Sequence, residues 1–79
     1  MLTVTEAEHT FCMYKLGLSG SGITALINAI FALDTNNRAK IAKGFPELVE
    51  VCNKYNFETG YWKDLVERWN ESSTIQLDE

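Results

Sequence analysis

The residues most capable of chemistry in this sequence are one histidine and two cysteines. His9 and Cys12 are three positions apart, which places both side chains on the same side of a helix, and Cys52 is the second thiol. Together they offer at most three metal ligands, whereas a structural zinc site usually has four. We therefore predict no metal site and no other cofactor. The cysteines are interpreted as small apolar core residues in a reducing compartment.

Carboxylates that could act as general acids or bases are spread over two predicted helices. Their spacing places them on solvent-facing sides, where nothing desolvates them enough to raise a catalytic pKa. They are Glu47, Glu50, Asp64 and Glu67. The glycine-rich segment 17–22 lacks phosphate-binding spacing and is followed by no Lys-Ser or Lys-Thr pair. We therefore predict that the protein is not an enzyme.

Aromatic residues are concentrated near the C-terminus, where five of the nine lie between Tyr55 and Trp69. Trp62 and Trp69 fall on the apolar stripe of the last predicted helix, whereas Phe57 and Tyr61 fall outside the stripes, in or next to a loop. Because Tyr and Trp are enriched at binding hot spots, we predict a partner surface formed by Phe57, Tyr61 and Trp62. Core or loop-closing packing of these rings is the alternative.

A short cationic cluster is formed by Arg38, Lys40 and Lys43. Three positive charges on one short helix could contact phosphates or an acidic partner, and we retain them as candidates for that role. The alternative is a solvated helix face, because screening limits the reach of such charges to about 10 Å.

Residues 9–28 resemble a helix-turn-helix motif. Gly17 stands where that motif makes its turn, and apolar residues occupy the positions at which its two helices pack together. These apolar residues are Cys12, Leu16, Leu18, Ile23 and Leu26. The resemblance implies a second helix that meets DNA.

The sequence departs from this motif at two points. Met13 replaces the small residue needed where the helices cross, and the second helix offers DNA only short, uncharged polar side chains. They are Ser19, Ser21, Thr24 and Asn28. Because sequence-specific readers place Arg, Lys, Asn or Gln against base edges, DNA association is kept as an alternative function.

Five short helices are predicted from apolar spacing and from capping signals. Their approximate ranges are 5–16, 22–33, 35–43, 46–55 and 60–70. Thr3–Glu6 and Thr5–Glu8 both fit a capping box, Gly17 suits a left-handed helix end, and Pro46 suits the first position of a helix. The opening residues favour a strand by composition, which is the alternative there. We predict an all-α bundle over residues 1–71 with a frayed, flexible acidic tail over 72–79.

The second predicted helix is apolar nearly all round, with Thr24 and Asn28 as its only polar side chains after the Ser21 cap. Such a helix is either central in the fold or buried by a partner. A chain of 79 residues has a small core and would gain from further apolar burial. Self-association as a homodimer is therefore part of our prediction.

Composition narrows the class of function. The chain is 46% hydrophobic, which indicates a globular domain, and its net charge of −4 opposes long-range attraction to nucleic acid or an anionic membrane. The 18 uncharged residues between Lys15 and Asp34 include three glycines and so predict a turn and a buried helix, not a membrane span. With no secretory signal pattern at the start, we expect a cytoplasmic protein-interaction module that binds another protein or itself.

Overall fold

The computed structural model describes residues 4–78, which form five α-helices without a strand among them. The helices are α1 (Glu6–Lys15), α2 (Gly20–Ala32), α3 (Thr35–Ile41), α4 (Pro46–Phe57) and α5 (Tyr61–Ser72). The predicted all-α bundle is confirmed. The strand alternative for the opening residues falls mainly on positions outside the described range.

Two predicted helix-end signals on α1 are confirmed. Thr5 Oγ1 accepts a hydrogen bond from the Glu8 backbone N–H (3.1 Å), while Glu8 Oε1 accepts one from the Thr5 N–H (3.0 Å). This reciprocal pair satisfies donors that the first helical turn leaves free. The alternative box at Thr3 lies outside the described residues. Gly17 ends the helix with φ +77°, a conformation that costs glycine little.

Helix boundaries differ from the predictions by about two residues. α2 begins at Gly20, and the N-cap position is held by Ser19, so the prediction of Ser21 as its cap is wrong. The Ser19 hydroxyl pairs with the Thr24 hydroxyl (2.7 Å) and leaves the helix backbone uncapped by a side chain. α3 ends earlier than predicted, at Ile41, whereas α4 and α5 run further, to Phe57 and Ser72.

α4 is the central element, because it packs against all four other helices. The apolar stripe predicted from Leu48 to Tyr55 faces the core, as does the stripe from Trp62 to Trp69. Leu48, Val51, Cys52, Leu65, Val66 and Trp69 are buried, together with Phe11 and Cys12 of α1 and Ile27 and Ile30 of α2. Helix-on-helix burial of these side chains is the main source of stability.

α2 has an outward face, although it is the most apolar helix. Ile27 and Ile30 are fully buried, whereas Ala25, Ala29 and Ala32 are exposed. Of the two alternatives for this helix, a central position in the fold is therefore wrong. Within residues 4–78, no individual helix has the length and apolarity to cross a membrane, and α1 with α2 would meet that test only as a pair bent by 97°.

The segment after α5 folds back against that helix, which differs from the predicted frayed tail. The Trp69 indole N–H donates to the Ile75 carbonyl (2.6 Å). The Asn70 amide both accepts from the Leu77 N–H (2.8 Å) and donates to the Leu77 carbonyl (3.0 Å). Leu77 is only 8% exposed. The acidic composition of the segment conceals this apolar anchor and the side chains that hold its backbone.

Candidate functional site

The thiols and the histidine are placed apart from any reactive cluster. Cys12 and Cys52 are unpaired and fully buried, and burial raises the pKa of the first to about 12 and of the second to about 11. His9 is exposed, with its ring 5.2 Å from that of Trp69. In the part of the chain that the structure describes, no group of three or more His, Cys, Asp or Glu residues is arranged to hold a metal ion.

A buried carboxylate links α1 to α5. Glu8 accepts two hydrogen bonds from the Arg68 guanidinium, both at 2.8 Å, a third from the Tyr61 hydroxyl (2.6 Å) and a fourth from the Thr5 N–H. We call Thr5, Glu8, Tyr61 and Arg68 the Glu8 cluster. Asp64 Oδ2 accepts from Arg68 Nε (2.8 Å) and so steadies the guanidinium.

Charge and burial in the Glu8 cluster oppose proton transfer. The hydrogen bonds from Arg68 are the main reason that the pKa of Glu8 falls from 4.5 to about 2, against the opposing effect of burial. Burial, and then the hydrogen bond to Glu8, raise the pKa of Tyr61 well above its usual range. Glu8 is thus an ionised acceptor whose oxygens are occupied, and its role is structural. Spacing along the chain does not indicate this role for Glu8, although Asp64 and Arg68, four residues apart, are a weak signal of an ion pair on α5.

The predicted aromatic partner surface is not a single surface. Phe57 is 76% exposed at the end of α4, but Tyr61 is 8% exposed and its hydroxyl is committed to Glu8. Because Tyr61 starts α5 facing α1, its burial counts against an exposed contact role, and the partner surface of Phe57, Tyr61 and Trp62 stays a prediction. Trp62 is half-buried and packs edge-on against Phe11 (5.9 Å) and Tyr55 (5.4 Å).

The predicted cationic cluster is also divided. Arg38 donates to the carbonyls of Ile30 (3.0 Å) and Leu33 (3.2 Å) and to Asn53 Oδ1 (2.9 Å). The guanidinium thereby satisfies carbonyl groups at the C-terminal end of α2 and ties that end to α4. These internal hydrogen bonds count against Arg38 as a phosphate contact, which is untested and stays a prediction. Lys40 and Lys43 are exposed, and their contact with phosphate or an acidic partner stays a prediction.

An open groove of about 560 Å³ lies between the first half of α1 and the facing side of α4. We call it the α1–α4 groove. Its floor is apolar, formed by the buried Leu48 and Val51 and the half-buried Ala7 and Ile23. Phe45 stands at the groove with 49% of its surface exposed.

A smaller depression of about 220 Å³ continues the groove along α1. The two share Thr10 and Ile23 as lining residues and so are adjacent. Leu18, which is 53% exposed, lines the depression just as Phe45 lines the groove. Each of these adjacent concavities therefore has one exposed large apolar side chain at it.

The rim of the groove is acidic. Glu6, Glu47 and Glu50 are exposed and line it, and Lys54 is the cation that lines it within the described residues. Lys54 Nζ is already 3.4 Å from Glu50 and lies 5.6 Å from the centre of the Tyr61 ring. Across residues 4–78, Glu6 and Glu47 have no ion-pair partner within 4.0 Å.

Sequence reasoning could not assemble this groove. Its two walls come from residues about 40 positions apart, and their crossing is a tertiary result. The available signal was Phe45, a large apolar residue that precedes Pro46 and falls outside the predicted stripes. No protein-family model, no curated protein and no solved structure matches this chain.

Proposed function

We propose that the protein is a small interaction module that binds a segment of another protein in the α1–α4 groove. The observation that carries this proposal is the apolar floor of the groove beside the half-exposed Phe45. A concave surface with an apolar lining and a few polar groups at its edge is the usual form of a binding site. A cytoplasmic location belongs to the same proposal, supported by two thiols that remain unpaired.

Binding to a protein segment fits this groove better than catalysis. The most perturbed carboxylate next to it, Glu8, is ionised and saturated with donors. The other carboxylates are exposed, so nothing desolvates them into general acids or bases. What the groove offers is a concave apolar floor with an exposed aromatic ring beside it, which suits the apolar side chains of a bound segment.

The test is affinity capture from the native host with two matched variants. Phe45→Ser removes the ring at the groove, just before α4. Phe57→Ser removes an exposed ring at the other end of α4. We expect Phe45→Ser to weaken partner binding by about tenfold or more, which corresponds to a loss of about 1.4 kcal/mol or more. Phe57→Ser should retain the partner. Thermal unfolding of both variants controls for loss of fold.

The reverse result would contradict binding in the α1–α4 groove. Loss of the partner with Phe57→Ser and retention with Phe45→Ser would move the contact to the C-terminal aromatic surface predicted from Phe57 and Trp62. If both variants retained the partner equally, neither Phe45 nor Phe57 would belong to the interface.

Self-association is a second candidate, favoured by the outer face of α2. That helix carries no charged residue, and Ala25, Ala29 and Ala32 lie exposed on it. Small side chains allow two helices to approach closely, and a symmetric pair would bury this face. Analytical ultracentrifugation at micromolar concentration should then report a dimer that Ala29→Glu converts to monomer. A cooperatively folded wild-type monomer would contradict this candidate.

DNA association is the remaining alternative. The 97° bend between α1 and α2 falls within the range of about 90–120° found in helix-turn-helix pairs. Against it, α2 carries no cation, and Arg38 is committed to internal carbonyls. A gel shift at low salt, with Lys40→Gln and Lys43→Gln as comparison, decides the matter: this alternative requires a shift that the two neutralisations weaken.

A further inference from the structure

We propose that the segment bound in the α1–α4 groove is a cationic amphipathic helix of the partner protein. The inference rests on the proposed function and adds the chemistry of the occupant to it. Three features support it: the two helical walls, the exposed apolar side chains beside the groove and the depression, and the charge of the rim.

The walls favour a helix as the occupant. Strand addition needs an exposed sheet edge, and the described residues contain no strand to which an extended segment could pair. Two packed helices can instead receive a third between their side-chain ridges, at an axis separation of about 8–10 Å. The helix-in-groove mode uses apolar anchors at positions i, i+3 or i+4, and i+7.

Exposed apolar side chains stand at both the groove and the depression beside it. Phe45 lines the groove and Leu18 lines the depression, so an occupant that reaches both meets two exposed apolar side chains. Successive anchors on one stripe give the occupant its amphipathic character.

The rim sets the sign of the flanking charges. Glu6 and Glu47 have no ion-pair partner across residues 4–78, and Lys54, the cation among the described residues that line the groove, is paired with Glu50. Lys or Arg beside the apolar stripe of the occupant can extend their aliphatic stems along the groove and place their charges on this rim. An acidic segment would be repelled there, so the rim selects against it.

The experiment places a photo-reactive benzoylphenylalanine at position 45 of the full chain in its native host, with position 57 as the control. The cross-linked peptide is then sequenced by mass spectrometry. We expect adducts enriched at position 45, on a partner segment with net positive charge and apolar residues at helical spacing. The synthetic peptide of that segment should become helical when it binds the purified protein.

Charge reversal provides the second arm. Glu6→Lys with Glu47→Lys reverses the two rim charges that have no ion-pair partner across residues 4–78, and Glu67→Lys with Glu71→Lys makes the same change in net charge on the exposed side of α5. The groove pair should weaken peptide binding by about tenfold, as expected for two partly screened charge contacts of roughly 0.7 kcal/mol each. The α5 pair should change it less than about threefold.

Each outcome distinguishes the inference from the function beneath it. Adducts at position 45 on an acidic or uncharged segment, or equal binding by both charge-reversed pairs, would overturn the cationic occupant and leave the interaction groove standing. Adducts with a second copy of this chain would also overturn it, in favour of self-association. No enrichment at position 45 over position 57 would overturn both.

Discussion

Glu6 and Glu8 lie on the same helix, two positions apart, in opposite surroundings. Glu8 is buried and accepts four hydrogen bonds, whereas Glu6 is exposed on the rim of the α1–α4 groove without an ion-pair partner across residues 4–78. In the Glu8 cluster the carboxylate serves the fold, because its charge is fully used inside the chain. On the rim the charge remains available to another molecule. Partner groups, and not residue type, separate a structural carboxylate from a candidate binding one.

The largest expected effect comes from opening the Glu8 cluster. Arg68→Met leaves Glu8 buried without its guanidinium, and breaking such a pair costs about 3–5 kcal/mol. Urea unfolding followed by circular dichroism should show this loss, while Lys63→Met, an exposed cation on the same helix, should stay within about 0.5 kcal/mol. Equal losses from both variants would erase the contrast between paired and exposed charge.

Acid should affect the two kinds of carboxylate differently. Because folding lowers the pKa of Glu8 from 4.5 to about 2, its ionised form contributes stability that is fully present above pH 4.5. As the pH falls toward 2, about 3 kcal/mol of the free energy of unfolding should be lost. The Glu8→Gln variant should lack this component, and Glu47→Gln should keep it. A wild-type acid profile that matches Glu8→Gln would contradict the structural role.

Arg38 offers a smaller version of the same contrast. Its guanidinium is bound to two carbonyls and to Asn53, so Arg38→Met should cost about 1–3 kcal/mol in unfolding free energy. Lys40→Met, on the same short helix but exposed, should change stability by less than about 0.5 kcal/mol. If Lys40 proved the costlier of the two, the division of the cationic cluster would be wrong.

The smallest expected effect on stability is at the groove rim. Glu47→Gln removes an unpaired exposed charge, so the midpoint of thermal unfolding should move by no more than about 2–4 °C, the equivalent of about 0.5 kcal/mol for a chain of this size. The same variant should weaken binding of the cross-linked partner peptide. A large loss of stability would assign Glu47 to the fold and remove it from the proposed interface.

The parts of the fold that sequence could predict are those determined locally. Thr5 and Glu8 are three residues apart, so their capping box follows from spacing, and the stripe from Leu48 to Tyr55 shows directly which side of α4 is apolar. Gly17 and Pro46 mark helix ends by their backbone preferences. These local signals were sufficient to predict the five helices in their order along the chain.

The inward cations and the groove depend on how helices cross, which spacing does not encode. Spacing predicts Arg38 as a surface cation and assigns no role to Arg68, whereas the fold brings carbonyls and the Glu8 carboxylate within 3.2 Å of them. Tyr61 read as a loop aromatic until α5 turned it toward Glu8. The candidate site was missed for the same reason, since its walls meet only after α1 packs on α4.

The two buried thiols can report how often the core beside the α1–α4 groove opens. Cys12 belongs to α1 and Cys52 to α4, and at neutral pH their raised pKa values leave almost no reactive thiolate while the core is closed. The rate at which either thiol is alkylated therefore depends on how often the core opens. A helix bound between α1 and α4 would make opening rarer and alkylation slower. The alkylation half-life of the wild-type protein thus reports occupancy of the groove without a dye or a tag.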